Sequence, residues 1–141
     1  MPTYKLNLFA ENFQIYLQDE SAQSDLSMSW TPAAVDRMLA LAPGAIGVGT
    51  VRDTTVPVTV EVREDFPEER ELWDKTNECT IEITSGKLVV AGSGDYLPEA
   101  QRIRLNPGKY SARVLYGNLG TVSPDGQDGE DEYKIVLWPA G

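Results

Sequence analysis

Apolar and polar positions alternate along much of this chain, and that alternation predicts strands. Tyr4, Leu6 and Leu8 fall on one face with Lys5 and Asn7 on the other, the period of two expected of a half-buried strand. Phe13, Ile15 and Leu17 repeat the pattern. Ala45 to Val51 is small and apolar, with Gly47 and Gly49 marking close backbone approach or a bulge. Val56, Val58, Val60 and Val62 alternate with Pro57, Thr59 and Glu61. Pro57 has no N–H for a ladder, which predicts an edge strand or a bulge. Cys79, Ile81 and Ile83 alternate with Thr80, Glu82 and Thr84, and Ser85-Gly86 then turns the chain into Lys87–Val90, a hairpin signal. Further strands are predicted at Gln101–Leu105, at Tyr110, Ala112, Val114 and Tyr116 beyond the Asn106-Pro107-Gly108 turn, and at Tyr133–Trp138.

One segment has helical spacing. Thr31 can cap it, Pro32 suits the first helical position, and Ala34, Val35, Met38, Leu39 and Ala42 form one stripe. Trp30, before the cap, is placed to staple onto Val35, and Pro43-Gly44 ends the run. The pattern predicts an all-β fold: an antiparallel β-sandwich of about eight or nine strands with one short covering α-helix at about 31–42, as a single domain over residues 1–141.

The chain has 141 residues and 41% hydrophobic content, enough to bury about two thirds of its unfolded surface. Histidine is absent, which excludes Ser-His-Asp and Cys-His catalysis and histidine-ligated metals. Cys79 is the single cysteine, so no internal disulfide forms. Inside an alternating strand and without a histidine partner, it reads as a structural thiol. Twelve basic residues against 22 acidic give a net charge of −10. Phosphate backbones and anionic membranes would repel such a surface, and a basic protein partner is favoured. The N-terminus carries no secretion signal and no run approaches 18 apolar residues, so a cytoplasmic address is expected.

Two acidic segments are candidate sites. The first holds Glu64, Asp65, Glu68, Glu69, Glu71 and Asp74 around Trp73. It suits contact with a basic partner, for example the nucleic-acid cleft of a nuclease, with Trp73 as an apolar anchor. Ordinary acidic surface, with Trp73 plugging one end of the sandwich, accounts for the same residues. The second, residues 123–132, contains Asp125, Asp128, Glu130 and Asp131, hard oxygen ligands of the kind that bind Ca²⁺, though not at EF-hand spacing. A solvated connection whose Gly and Asp residues make turns is the simpler reading of the same residues. No other cofactor is indicated. Glu61, Glu82 and Asp131 are the weaker option of a glycosidase-like carboxylate pair, which requires a separation of about 5–9.5 Å.

Two sets of motifs carry family resemblances. Phe13-Gln14-Ile15-Tyr16-Leu17, Ser29-Trp30-Thr31, Gly44-Ala45-Ile46, Val51-Arg52 and Leu105-Asn106-Pro107-Gly108-Lys109-Tyr110 resemble the competence protein J family. That resemblance implies a small β protein, without catalytic residues, that inhibits a DNA-entry nuclease. Trp73-Asp74, Ser85-Gly86-Lys87-Leu88, Asp95-Tyr96-Leu97-Pro98, Gly117-Asn118-Leu119 and the stretch from Asp131 to Pro139 are similar to a group of uncharacterised bacterial proteins ending in a Gly-Asp-x-Tyr…Leu-Trp-Pro block. This second resemblance implies no activity.

Overall fold

The predicted alternation becomes ten strands in the computed structural model, which describes residues 3–22, 26, 29–65, 73–125 and 128–140. In chain order the strands are β1 (Thr3–Phe9), β2 (Gln14–Asp19), β3 (Leu39–Ala42), β4 (Ala45–Gly49), β5 (Thr55–Val62), β6 (Lys75–Ile83), β7 (Lys87–Gly92), β8 (Gln101–Arg104), β9 (Gly108–Gly117) and β10 (Glu132–Pro139), with helix α1 (Pro32–Arg37) between β2 and β3. One sheet has the order β1-β5-β10-β9-β6 and the other β3-β4-β2-β7-β8. All pairings are antiparallel except β5 with β10. One residue in two from each strand turns inward. Val56, Val58 and Val60, Tyr110, Ala112, Val114 and Tyr116, and Tyr133, Ile135 and Leu137 meet Ile15, Leu17, Ile46, Val48, Leu88 and Val90 of the opposite sheet in one core. Among the described residues no helix is long and apolar enough to cross a membrane.

The helix is half its expected length. Thr31 caps it as predicted, its Oγ1 accepting from the Ala34 N–H at 3.2 Å, with Pro32 at the first helical position. It ends at Arg37 because Met38 adopts a left-handed conformation, φ 62°. The last carbonyls then find partners outside the helix. Asn77 Nδ2 donates to the Arg37 carbonyl at 2.8 Å, and the Met38 carbonyl accepts from both the Tyr116 hydroxyl at 2.6 Å and the Gly49 N–H at 2.9 Å. Leu39–Ala42, expected within the helix, form β3 against β4. Val35 is exposed, so the expected staple is absent. Trp30 packs instead over Gly47, where an added Cβ would lie 2.9 Å from the ring, and beside Leu26. The close approach predicted at Gly47 is thus real.

Two other expectations change. Cys79–Val90 is not a hairpin, because β6 and β7 lie in different sheets. The chain crosses between the sheets at Thr84–Gly86, where the buried Asp19 carboxylate accepts from Thr84 Oγ1 at 2.7 Å, Ser85 Oγ at 2.5 Å, the Ser85 N–H at 3.1 Å and Ser21 Oγ at 2.6 Å. Nor does Pro57 mark an edge, since β5 lies between β1 and β10. The Ala10 N–H donates to the Thr54 carbonyl, one step beyond the Phe9–Thr55 pair. Bonded pairs in this ladder therefore fall at even positions of β1, and Pro57, opposite Asn7, sits at an unbonded pair. The parallel ladder to β10 starts only at Val58, so the interior strand tolerates the missing donor.

Candidate functional site

The two acidic connections are far apart in sequence, and strand pairing brings parts of them together. Lys75, the first residue of β6, pairs with Tyr116 near the end of β9, while Gly117 pairs with Glu132, the first residue of β10. Trp73 and Asp74 therefore reach the same end of the sheet as the 118–131 connection. The Asp74 N–H donates to the Tyr116 carbonyl at 2.9 Å, and Asp74 Oδ2 accepts from the Leu119 N–H at 2.8 Å. The Trp73 ring lies on Gly117, where a Cβ would come within 2.9 Å of it, and packs with Leu115, Val136 and Trp138 on the outer face of the sheet. Asp74, Asp125, Asp128, Glu130 and Glu132 are exposed at this end.

The first acidic segment is divided by the same topology. β5 runs parallel to β10, and Val62 pairs with Leu137, so Glu64 and Asp65 leave from the opposite end of the sheet, both exposed. Glu68, Glu69 and Glu71 lie outside the described residues. Beside Trp73 stand Asp74, its chain neighbour, and Glu132, which meets the ring over Gly117; Glu130 lies in the connection next to them, its carbonyl accepting from Asn118 Nδ2 at 3.2 Å. Glu132 closes the acidic 123–132 segment, and the β9–β10 register brings it beside Trp73 over Gly117. Beside this cluster a groove of about 390 Å³ runs over the outer face, lined by Trp73, Glu132, Lys134, Glu61 and Lys5 among others.

The expected calcium ligands have separate roles. Asp131 is fully buried and faces inward. Its Oδ1 accepts from Arg52 Nε at 2.5 Å and its Oδ2 from the Tyr133 hydroxyl at 2.6 Å. The Tyr133 oxygen in turn accepts the Val51 N–H at 2.8 Å. Burial, and then the bond to Asp131, push the Tyr133 phenol far above its usual range. Asp125 Oδ1 accepts from Ser123 Oγ at 2.5 Å, and the Asp128 and Glu130 N–H groups donate to Ser123 Oγ and Thr121 Oγ1 at 3.0 and 2.8 Å. Among the described residues no three acidic or thiol side chains are grouped to hold a metal ion.

The carboxylate pair of a glycosidase is not assembled. Glu61 faces outward and is engaged by Arg63 at 3.2 Å and Lys134 at 3.3 Å. Glu82 lies on β6, three strand spacings from β5, roughly 14 Å. Asp131 points into the interior. Cys79 is partly buried among core residues, and burial pushes its thiol up to about 11, the opposite of an activated nucleophile.

With this geometry in view, solved structures give one clear relation. ComJ from Bacillus subtilis, described as an inhibitor of the DNA-degrading activity of NucA, superposes with a TM-score of 0.74 at 17% identity, over 99% of this chain and 98% of ComJ. The fold is that of ComJ. A second protein with the same fold, crocagin biosynthetic gene J, superposes with a TM-score of 0.68 at 20% identity, over 99% of this chain and 98% of its own. No family model matches the chain, and no curated protein is similar to it in sequence.

Proposed function

We propose that this protein is a non-enzymatic, acidic inhibitor that binds a basic protein, a nuclease, and occludes its nucleic-acid cleft. The observation that carries the reading is the end-to-end likeness to ComJ, whose described role is inhibition of a DNA-degrading activity. Fold alone does not transfer function; the surface chemistry supports the transfer. The net charge is −10, and Asp74 and Glu132 flank Trp73 at one end of a sheet, with Glu130 in the adjoining connection. Carboxylates there would stand where phosphates otherwise bind, with Trp73 as the anchor. The Trp73 end is the primary face of the proposed contact; of the other acids of the 64–74 segment, Glu64 and Asp65 leave from the opposite end of the sheet as a secondary face, and Glu68, Glu69 and Glu71 lie outside the described residues.

Purified protein used as bait in low-salt extract of its own cells would retain a DNA-degrading activity that salt releases. Re-adding the protein to the eluate would suppress DNA cleavage. Retention that is unchanged at high salt refutes charge mimicry. An eluate without DNA-degrading activity refutes the nuclease partner.

A further inference from the structure

The β1 edge of the first sheet, opposite its junction with β5, leaves main-chain groups open. Bonded pairs with β5 fall at even positions of β1, so the N–H and C=O groups of Thr3, Lys5, Asn7 and Phe9 point away from the sheet. Phe9 is already occupied. Its N–H donates to Asp95 Oδ2 at 3.2 Å, and its carbonyl accepts from the Gly94 N–H at 3.0 Å. The 94–95 turn thus closes one end of the edge and leaves Thr3–Asn7 open. Lys5 and Asn7 are exposed, and β1 carries neither a proline nor a bulge within that stretch, two of the usual protections of an edge; the third, a lysine, is Lys5, which lines the groove on the outer face and not the one described next.

A groove of about 330 Å³ adjoins this open edge. Leu6, Leu8, Val90 and Ala100 supply apolar lining, and Asp95 and Glu99 are its charged residues, with no lysine or arginine in the wall. Tyr96 beside it is 69% exposed. Open backbone groups specify an extended chain as occupant, and apolar and acidic walls specify side chains that are apolar with a basic group among them.

We infer that the β1 edge takes an extended, basic segment of a protein partner as an added strand over Thr3–Asn7, with a lysine or arginine of that segment at Glu99. This surface is separate from the Trp73 end and does not depend on the partner being a nuclease. The test uses a capped eight-residue peptide of alternating lysine and valine, with the glutamate–valine peptide as its counterpart. Hydrogen exchange on the whole protein should show protection of the Lys5 and Asn7 amides by the lysine peptide and none by the glutamate peptide. Asn7→Pro removes an outward donor but no bond to β5, and should weaken binding at least tenfold with an unchanged melting temperature. Glu99→Lys, at an exposed position, should weaken it likewise and covers the case in which the proline variant is poorly folded. Equal binding of both peptides, protection away from β1, or full binding by Glu99→Lys overturns the proposal. A dimer that Asn7→Pro abolishes also overturns it, by giving the edge to a second copy of the chain.

Discussion

Asp19 and Asp131 are both removed from solvent, at 2% and 0% exposure, yet they are satisfied in opposite ways. Asp19 has no cation among its hydrogen-bond donors; it is held by three hydroxyls and one backbone N–H. Asp131 is held by a guanidinium and a phenol. Burial alone would raise the Asp19 carboxyl, but the bonds from Ser21, Ser85 and Thr84 outweigh it and hold the group well below the usual carboxylate range. A charge can thus be kept inside by several neutral donors or by one counter-charge. In the first case removing any one donor leaves the others. In the second, removing the partner strands the charge.

That contrast sets the largest expected effect. Arg52→Ala leaves Asp131 charged, buried and without its cation, and should lower stability by about 3–5 kcal/mol, read from denaturant midpoints. Replacing Arg52 and Asp131 together by Met and Leu should cost less, since removing a buried ion pair is often close to neutral, and what remains is the Tyr133 hydroxyl left without its acceptor. If the double variant is as unstable as the single one, the pair does more than satisfy itself.

Asp19→Asn should cost about 1–3 kcal/mol at neutral pH, because the amide presents an N–H₂ group to hydroxyls that now donate to a carboxylate. Its pH dependence sharpens the comparison. The folded carboxyl titrates below the unfolded value of about 3.9. Its stabilisation is therefore complete above that value and is lost as the pH falls below it. The gap between wild type and Asp19→Asn should narrow below about pH 4 in acid titrations followed by circular dichroism. A gap that stays constant to low pH would show that Asp19 acts by shape alone.

Neither carboxylate could be sorted from the sequence, and the reason is physical. Alternation reports one residue at a time which face of a strand it occupies, and it located every strand except β3, including Tyr110–Tyr116 and Val56–Val62. It says nothing about which sheet a strand joins. The Cys79–Val90 run therefore reads as a hairpin, whereas Asp19 holds a crossing between the sheets at Thr84 and Ser85. Leu39 fits a helical stripe, whereas Leu39 and Ala40 are both buried, as in a strand covered on both faces; the left-handed Met38, fixed by Tyr116 from a distant strand, decides between them. Asp131 lies in an acidic loop by composition, and its place two residues before the inward-facing Tyr133, with Arg52 from a distant loop, turns it inward. The proposed contact was legible in part: Trp73 and Asp74 stand out by composition, but their junction with Glu132 depends on the β9 registers.

The smallest stability effect belongs to the acids that face solvent. Asp128 and Glu130 engage their neighbours through main-chain N–H groups, which a side-chain substitution leaves in place. Asp128→Lys and Glu130→Lys should each change stability by less than about 0.5 kcal/mol. Together they alter the net charge by four units at the Trp73 end, so association with a basic nuclease should slow, and slow most at low ionic strength. A large loss of stability would place these side chains with Asp131 among the structural carboxylates. Unchanged stability with unchanged association would move the contact away from this end of the sheet, toward Glu64 and Asp65 at the other.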